Sequence, residues 1–333
     1  MKKIMSIFFG LLIIFSFTTA CGNSPEESNS EKGNTAVQEF DGNINGTLSA
    51  ATSGGFMYSV GAVIGNVINK QDDSNLDVIE GGGIANLMGV NDQKFEYGLT
   101  FSQDIEDALQ GRNDFDEPLE DFRVVAALYG GYLQFAVRSD SDIHSIDDLK
   151  GNSLSPGVKG YSAEALAELV LNEHGLDYED LSKVEFTSTA DATNLMQDRH
   201  IDAISAMFPI PFSAYQELDT TLGIRILPIE SDKIKALQEV NAGYMEMTIP
   251  AGTYSGNDED ISVAGSITLI ITHKDTPDDE VYFMLESLFD NLNDFKNLSV
   301  VFEDLDEDYA YENITGPIHP GAQKYFEDKG IAK

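Results

Sequence analysis

The stretch SPGVKGYSAEALAEL (155–169) sets Gly157, Lys159, Gly160 and Ser162 just ahead of an amphipathic helix. Glycines feeding a helix N-terminus suit an anion, because unpaired backbone N–H groups and the positive end of the helix dipole converge there. The same succession of strand, small residues and helix occurs at TSGGFMY (52–58) and EGGGIANL (80–87). Ligands of open α/β sheets collect at the C-terminal ends of strands, where such turns gather. Tight turns also need glycine for conformation alone, and Ser162 is a competent helix cap. A turn, a cap and a packed helix would therefore explain the stretch without any ligand.

Two nucleotide motifs are excluded here. A P-loop requires Gly directly before its Lys, where Val158 stands, and a dinucleotide fingerprint requires Gly at position 155, which is Ser. Glu164 in the first turn would repel a polyphosphate, which leaves a small carboxylate as the fitting anion. Catalytic sets are missing from the pattern. His144, His174, His200, His273 and His319 show no i, i+4 metalloprotease spacing, and no serine lies in a G-x-S-x-G elbow. DLDEDYAYENIT (304–315) spaces Asp304, Asp306 and Asp308 like a calcium loop. It has Tyr309 where that loop needs Gly and Thr315 where it needs a bidentate Glu. No enzyme, metal or cofactor is expected.

Composition bounds the setting. Lys2 and Lys3 precede an apolar run from Ile4 to Phe17, which suits a signal-peptide core and is short for a membrane span. Cys21, the only cysteine, sits where lipoprotein processing would make it N-terminal, so residues 1–20 read as a lipoprotein signal and Cys21 as the lipidation site. An ordinary secretory signal with an incidental cysteine is the alternative. Residues 21–44 are rich in Gly, Ser, Asn and Glu and read as a flexible tether. Loss of the two leader lysines leaves 18 basic against 57 acidic residues, a net charge of −39. That charge argues against nucleic acid and against electrostatic adhesion to anionic lipid, so the lipid itself would be the membrane anchor.

The elements that must position the turns alternate between strand and helix. A strand at 46–52 leads to a helix with Val60, Ile64, Val67 and Ile68 on one face. LDVIEG and YGLTFS are further strands, each followed by a helix, and FRVVAALYGGYLQFAVRS (122–139) reads as two strand-like runs. A second block holds a helix with Ala163, Leu166, Ala167 and Val170 on one face, then strands KVEFTST and IDAISAM. ISVAGSITLIITH reads as a strand, followed by a helix bearing Val281, Met284, Leu285, Leu288, Phe289 and Leu292. This alternation predicts an α/β fold with largely parallel sheet. About 290 residues suit two lobes, and no internal repeat is visible.

These residues carry a family resemblance. The chain resembles the TAXI-type solute receptors of TRAP (tripartite ATP-independent periplasmic) transporters. The matching segments are SGGFMYSVGAVIG, EGGGIANL, DIHSIDDLKG, HIDAISAMF, IPAGTYSGNDEDISVAGSITLIITHKDTPDDEVYFM and GPIHPGAQKYFEDKG, in family order. The resemblance implies a type II-like periplasmic-binding-protein fold, with two hinge-linked α/β lobes and a ligand cleft between them. Lobe 1 would comprise 45–138 plus 247–333, and lobe 2 would comprise 139–246. It places Ser53, Gly54, Gly55 and Tyr58 at one ligand-contact turn. Gly82, Gly83 and Asn86 fall at a second, with Gly83 replacing a more usual Ser. Phe101, Ser102 and Gln103 stand where the family has Gln-Ser-Asp, with Asp104 one step late. Lys159, Gly160, Tyr161 and Ser162 fill the lobe 2 turn. At FPIP the family's glycine is missing, and Phe208 and Pro209 stand there.

The function so implied is capture of a small organic acid and delivery to the membrane permease. Dicarboxylates and acidic amino acids such as glutamate, or the keto acid 2-oxoglutarate, are typical of the family. Ser53, Ser162 and backbone N–H groups would hold the carboxylate, with Lys159 either pairing with it or lying exposed at the rim. Tyr58, Phe101 and Tyr161 would wall the pocket. Two other readings fit the same fold: a sensor lipoprotein that signals to a membrane partner, and an enzyme built on the scaffold. The missing catalytic set argues against the second.

Overall fold

The computed structural model describes residues 40–332, apart from 52, 54 and 72. The expected leader, Cys21 and most of the tether lie outside the described residues, as does Gly54. Three strand–helix units open the chain: β1 (Asn45–Ser49), α1 (Phe56–Ile68), β2 (Asn75–Ile79), α2 (Gly83–Asn91), β3 (Tyr97–Phe101) and α3 (Ser102–Gln110). The expected face of α1 is its packing face, since Val60, Ile64, Val67 and Ile68 are fully buried. Helix α3 stops at Gly111, whose φ of 59° is a left-handed cap suited to glycine.

The segment expected to hold two short strands is one. Strand β4 (Phe122–Arg138) runs unbroken for 17 residues through Gly130 and Gly131. The pair marks no turn; a Cβ on Gly130 would press on Met247, and one on Gly131 would touch Met207. A second set follows: β5 (Ser153–Ser155), α4 (Ser162–Glu173), β6 (Lys183–Val184), α5 (Thr189–Gln197), β7 (Ala203–Phe208), α6 (Ser213–Leu222) and β8 (Ile224–Ile226). Strand β6 keeps only two residues of the longer strand expected from KVEFTST. Then come α7 (Ser231–Val240), β9 (Met245–Ile249) and β10 (Ile261–His273), the last with the bounds its sequence suggests. The chain closes with α8 (Asp278–Asp290), α9 (Leu292–Leu298), α10 (Glu307–Glu312) and α11 (Pro320–Asp328). The single helix expected from Val281 to Leu292 is thus two, parted at Asn291.

Strand pairing reveals a repeated plan. In the first half the order is β2-β1-β3-β10-β4, with β1 parallel to β2 and β3, and β10 antiparallel to β3 and β4. In the second it is β6-β5-β7-β4-β8, with β5 parallel to β6 and β7, and β4 antiparallel to β7 and β8. Each half therefore accepts one long antiparallel strand shared with the other. Strand β4 changes partner at Tyr132, which pairs with Gly265 of β10 and with Phe208 of β7. Strand β10 changes at Gly265, from β9 to β4.

The cores follow the same division. One buried cluster runs from Leu133 to Ala264 and includes Leu154, Leu166, Val170, Ala203, Ile204 and Leu237. Two others sandwich the first half of the sheet. Ile270 faces the cluster that includes α1 and α8, while Ile267, Leu269 and Ile271 face the one with Leu87, Val90 and Ile105. That alternation is the two-residue period of a strand buried on both faces. The acidic loop that mimics a calcium site folds as a helix start instead, where the Asp306 carboxylate caps α10 by accepting from the Tyr309 N–H at 2.8 Å.

Candidate functional site

The turn before α2 is fixed by Asn86. Its Nδ2 donates to the carbonyls of Ala50 (2.7 Å) and Leu99 (2.6 Å). Its Oδ1 accepts from Ser49 Oγ (2.6 Å) and from the Gly82 N–H (3.2 Å). The amide's donors and acceptor positions are all occupied. Asn86 thus ties the ends of β1 and β3 to α2 and holds the turn in place, whereas the sequence reading had it touching ligand. Gly81 must be glycine, because a Cβ there would strike both Asn86 Oδ1 and Ser49 Oγ.

The start of α3 divides its polar residues between two tasks. Ser102 is fully buried; its Oγ donates to the Gly243 carbonyl (2.5 Å) and accepts from the Ile267 N–H (3.0 Å). It joins α3 to β10, and both of these bonds are made inside the protein. Gln103 is buried with Oε1 unpartnered among the described residues. Asp104 is only 6% exposed, and it lies against Gly83 so closely that a Cβ on the glycine would collide with its Oδ2. The Phe101 ring and the Thr100 hydroxyl lie beside the same position on Gly83. Burial, then the charges of Asp107 and Asp114, push the Asp104 carboxyl up to about 7, against weaker lowering by the Phe101 N–H and the Thr100 hydroxyl. The nearby cation Arg112 is bound to Asp107 at 2.6 Å instead.

At α4 the cap differs from expectation. The N-cap is Tyr161, without a side-chain cap, and Ser162 is the first helical residue. The Gly160 N–H donates to Glu164 Oε2 (3.0 Å), and the Tyr178 hydroxyl donates to Glu164 Oε1 (2.8 Å). The buried Glu164 carboxylate thereby takes one N–H that an outside anion could have used. Lys159 is exposed and stands over the Phe186 ring, 4.8 Å from its centroid, a cation–π arrangement outside the cavity described next. Tyr161 is 65% exposed.

One cavity of about 360 Å³ is lined by residues 82–85 and Met88 of the α2 start, by Asp104 and by Ser162. It brings together Gly82, Gly83 and Ser162 of the expected residues, from turns 80 positions apart. Several of the other described residues have partners of their own. The exposed Ser53 donates its N–H to Glu80 Oε1 (3.0 Å), Gly55 is the N-cap of α1, and Tyr58, within α1, packs partly buried against the core. Phe208 stacks on Phe212 with centroids 4.1 Å apart. Among the described residues, the starts of α1, α2, α3 and α4 all lack a side-chain cap, which leaves their first N–H groups for other acceptors. The expected site leaves out Asp104 because it stands one step beyond the family's Asp, whereas in the structure it lines the cavity.

Two α/β halves that exchange long antiparallel strands, with a cavity lined by helix starts from both, define the periplasmic-binding-protein-like fold. Solved structures share it: a TctC solute binding protein from Polaromonas, without ligand (TM-score 0.51, 16% identity, 87% of this chain and 89% of that one), and the periplasmic binding protein BugD (TM-score 0.50, 12% identity, 87% and 94%). The profile of the NMT1-like family matches residues 48–330, and the chain belongs to that family.

Proposed function

We propose that this protein is an extracytoplasmic receptor that captures a small organic solute between its lobes and delivers it to a membrane permease. The observation that carries the reading is the cavity that joins the start of α2 to Ser162 at the start of α4. A solute bridging two lobes favours their closed arrangement over the open one, which is the basis of hinge closure. Lobe 1 is proposed as 45–138 plus 247–333 and lobe 2 as 139–246, with β4 and β10 as the hinge strands. Uncapped helix N-termini and the Ser162 hydroxyl are the neutral donors that would receive a carboxylate at short range, despite the acidic surface.

Within the family, the chain is read as a TAXI-type receptor of a TRAP transporter, on the strength of the segments from Ile249 to Met284 and from Gly316 to Gly330. Lys2, Lys3, the apolar run from Ile4 to Phe17 and Cys21 support a lipid anchor at the outer face of the cell membrane. Among the described residues, no helix is long and apolar enough to cross a membrane.

Thermal-shift and calorimetric titration with C4 to C6 dicarboxylates, keto acids and amino acids test the reading. A stoichiometric complex, with the solute recovered chemically unchanged, is the expected result. Turnover of the solute, or absence of binding by every compound of these classes, overturns it.

A further inference from the structure

We propose that the solute carries a protonated amine seated against Asp104, so that the preferred class is amino-acid-like zwitterions and not acids that lack an amine. The inference rests on the receptor reading above and narrows its ligand. Of the residues that line the cavity, Asp104 alone is ionisable, and the rest are small or apolar apart from Ser162. Its carboxylate lies over Gly83, where any side chain would occupy its place.

The groups around Asp104 leave that negative charge without a cationic partner. From its own helix, Asp107 and, beyond its end, Asp114 add like charge. From the end of β3 the Phe101 N–H supplies only a neutral donor, and the Thr100 hydroxyl gives its one proton to the Gly83 carbonyl at 3.1 Å. From the connection before β9, Tyr244 lies within reach of the charges on both Asp104 and Asp107. Arg112 is engaged by Asp107, and Lys159 rests over Phe186. Residues 82–85 and Met88 bring no charge from α2.

An anion entering such a cavity must approach a carboxylate with nothing to offset it, while an ammonium supplies the missing partner. The uncapped start of α2 and the Ser162 hydroxyl remain for the carboxylate end of the same molecule, while at α4 the Glu164 carboxylate already holds the Gly160 N–H. A zwitterion satisfies both ends. With the Asp104 carboxyl titrating near neutral pH, amine binding strengthens as pH rises and the carboxylate forms.

Matched pairs test this by calorimetry on the full chain at pH 5.5 and pH 8: L-glutamate against glutarate, L-aspartate against succinate, and the remaining L-amino acids against their acids without the amine. The expected result is at least tenfold tighter binding of the amine-bearing member at pH 8, weaker binding of it at pH 5.5, and loss of both differences in Asp104→Asn. If acids without an amine bind wild type at pH 8 as tightly as their amine-bearing partners, and no weaker than they bind Asp104→Asn, the receptor reading stands and the amine seat is overturned. If neither member of any pair binds, both fall. Circular dichroism and a melting curve of Asp104→Asn show that lost binding is not lost folding.

Discussion

Tyr132 and Gly265 face each other at the register where both long strands change partners. Tyr132 pairs with Gly265 of β10 and with Phe208 of β7, while Gly265 also pairs with Met245 of β9. The two halves of the sheet are thus joined through a crossing of β4 and β10, and the crossing is tight. A Cβ on Gly265 would overlap the Gly131 carbonyl and the Met247 sulfur. Gly265→Ala must push a backbone carbonyl aside, so it should lower stability by about 1–3 kcal/mol, the range of overpacked cores. Urea unfolding of the variant checks it; a midpoint equal to wild type would show that the crossing is loose.

Asn86 acts as a clasp. Replacement by Ala strands the Ala50 and Leu99 carbonyls, the Ser49 hydroxyl and the Gly82 N–H. Buried polar groups without partners cost about 1–3 kcal/mol each. Asn86→Ala should therefore lose about 3 kcal/mol or more of stability in the absence of any solute, as read from chemical denaturation.

Asp104 opposes folding at neutral pH. Its carboxyl sits at about 7 when folded against 3.8 for the ordinary side chain. Between those values the folded chain keeps a proton that the unfolded chain has lost, so this group makes stability fall as pH rises. The cost is absent below about pH 4 and complete above about pH 7. Asp104→Asn removes it, and the variant should exceed wild type at pH 8 by on the order of 4 kcal/mol, with the gap closing toward pH 4. Paired melting curves at pH 4 and pH 8 measure that gap; an equal gap at both pH values would contradict the assignment.

Lys159 should be dispensable for capture. Its ammonium lies over Phe186, and the cavity is lined without it. Lys159→Ala is expected to bind whichever solute the titrations identify within about threefold of wild type, since an exposed cation–π contact is worth about 0.5–1 kcal/mol. A tenfold loss would return Lys159 to the site.

Much of the local architecture was legible in the chain. The strand-like run of β10 and the single apolar face of α1 are short-range patterns; β10 keeps the suggested bounds and the named residues of α1 are buried. Gly130–Gly131 misled, because a glycine pair looks the same whether it turns a chain or lets neighbouring side chains pack on a strand. The repeated strand plan left no trace in sequence, since the two halves share pairing order and not side chains.

Sequence alone determined the alternation of strand and helix, the glycine turns that open the helices, and the family to which the chain belongs. These are properties of neighbouring residues, and they survive without knowledge of what packs against them. Only the tertiary structure decided which polar residues are spent inside the protein. Asn86 and Ser102 are consumed by carbonyls and N–H groups brought from distant strands, and Asp104 is left facing a cavity completed by Ser162, 58 positions further along the chain. Whether a side chain is a clasp or a contact depends on partners remote in sequence, and folding alone brings those partners within reach.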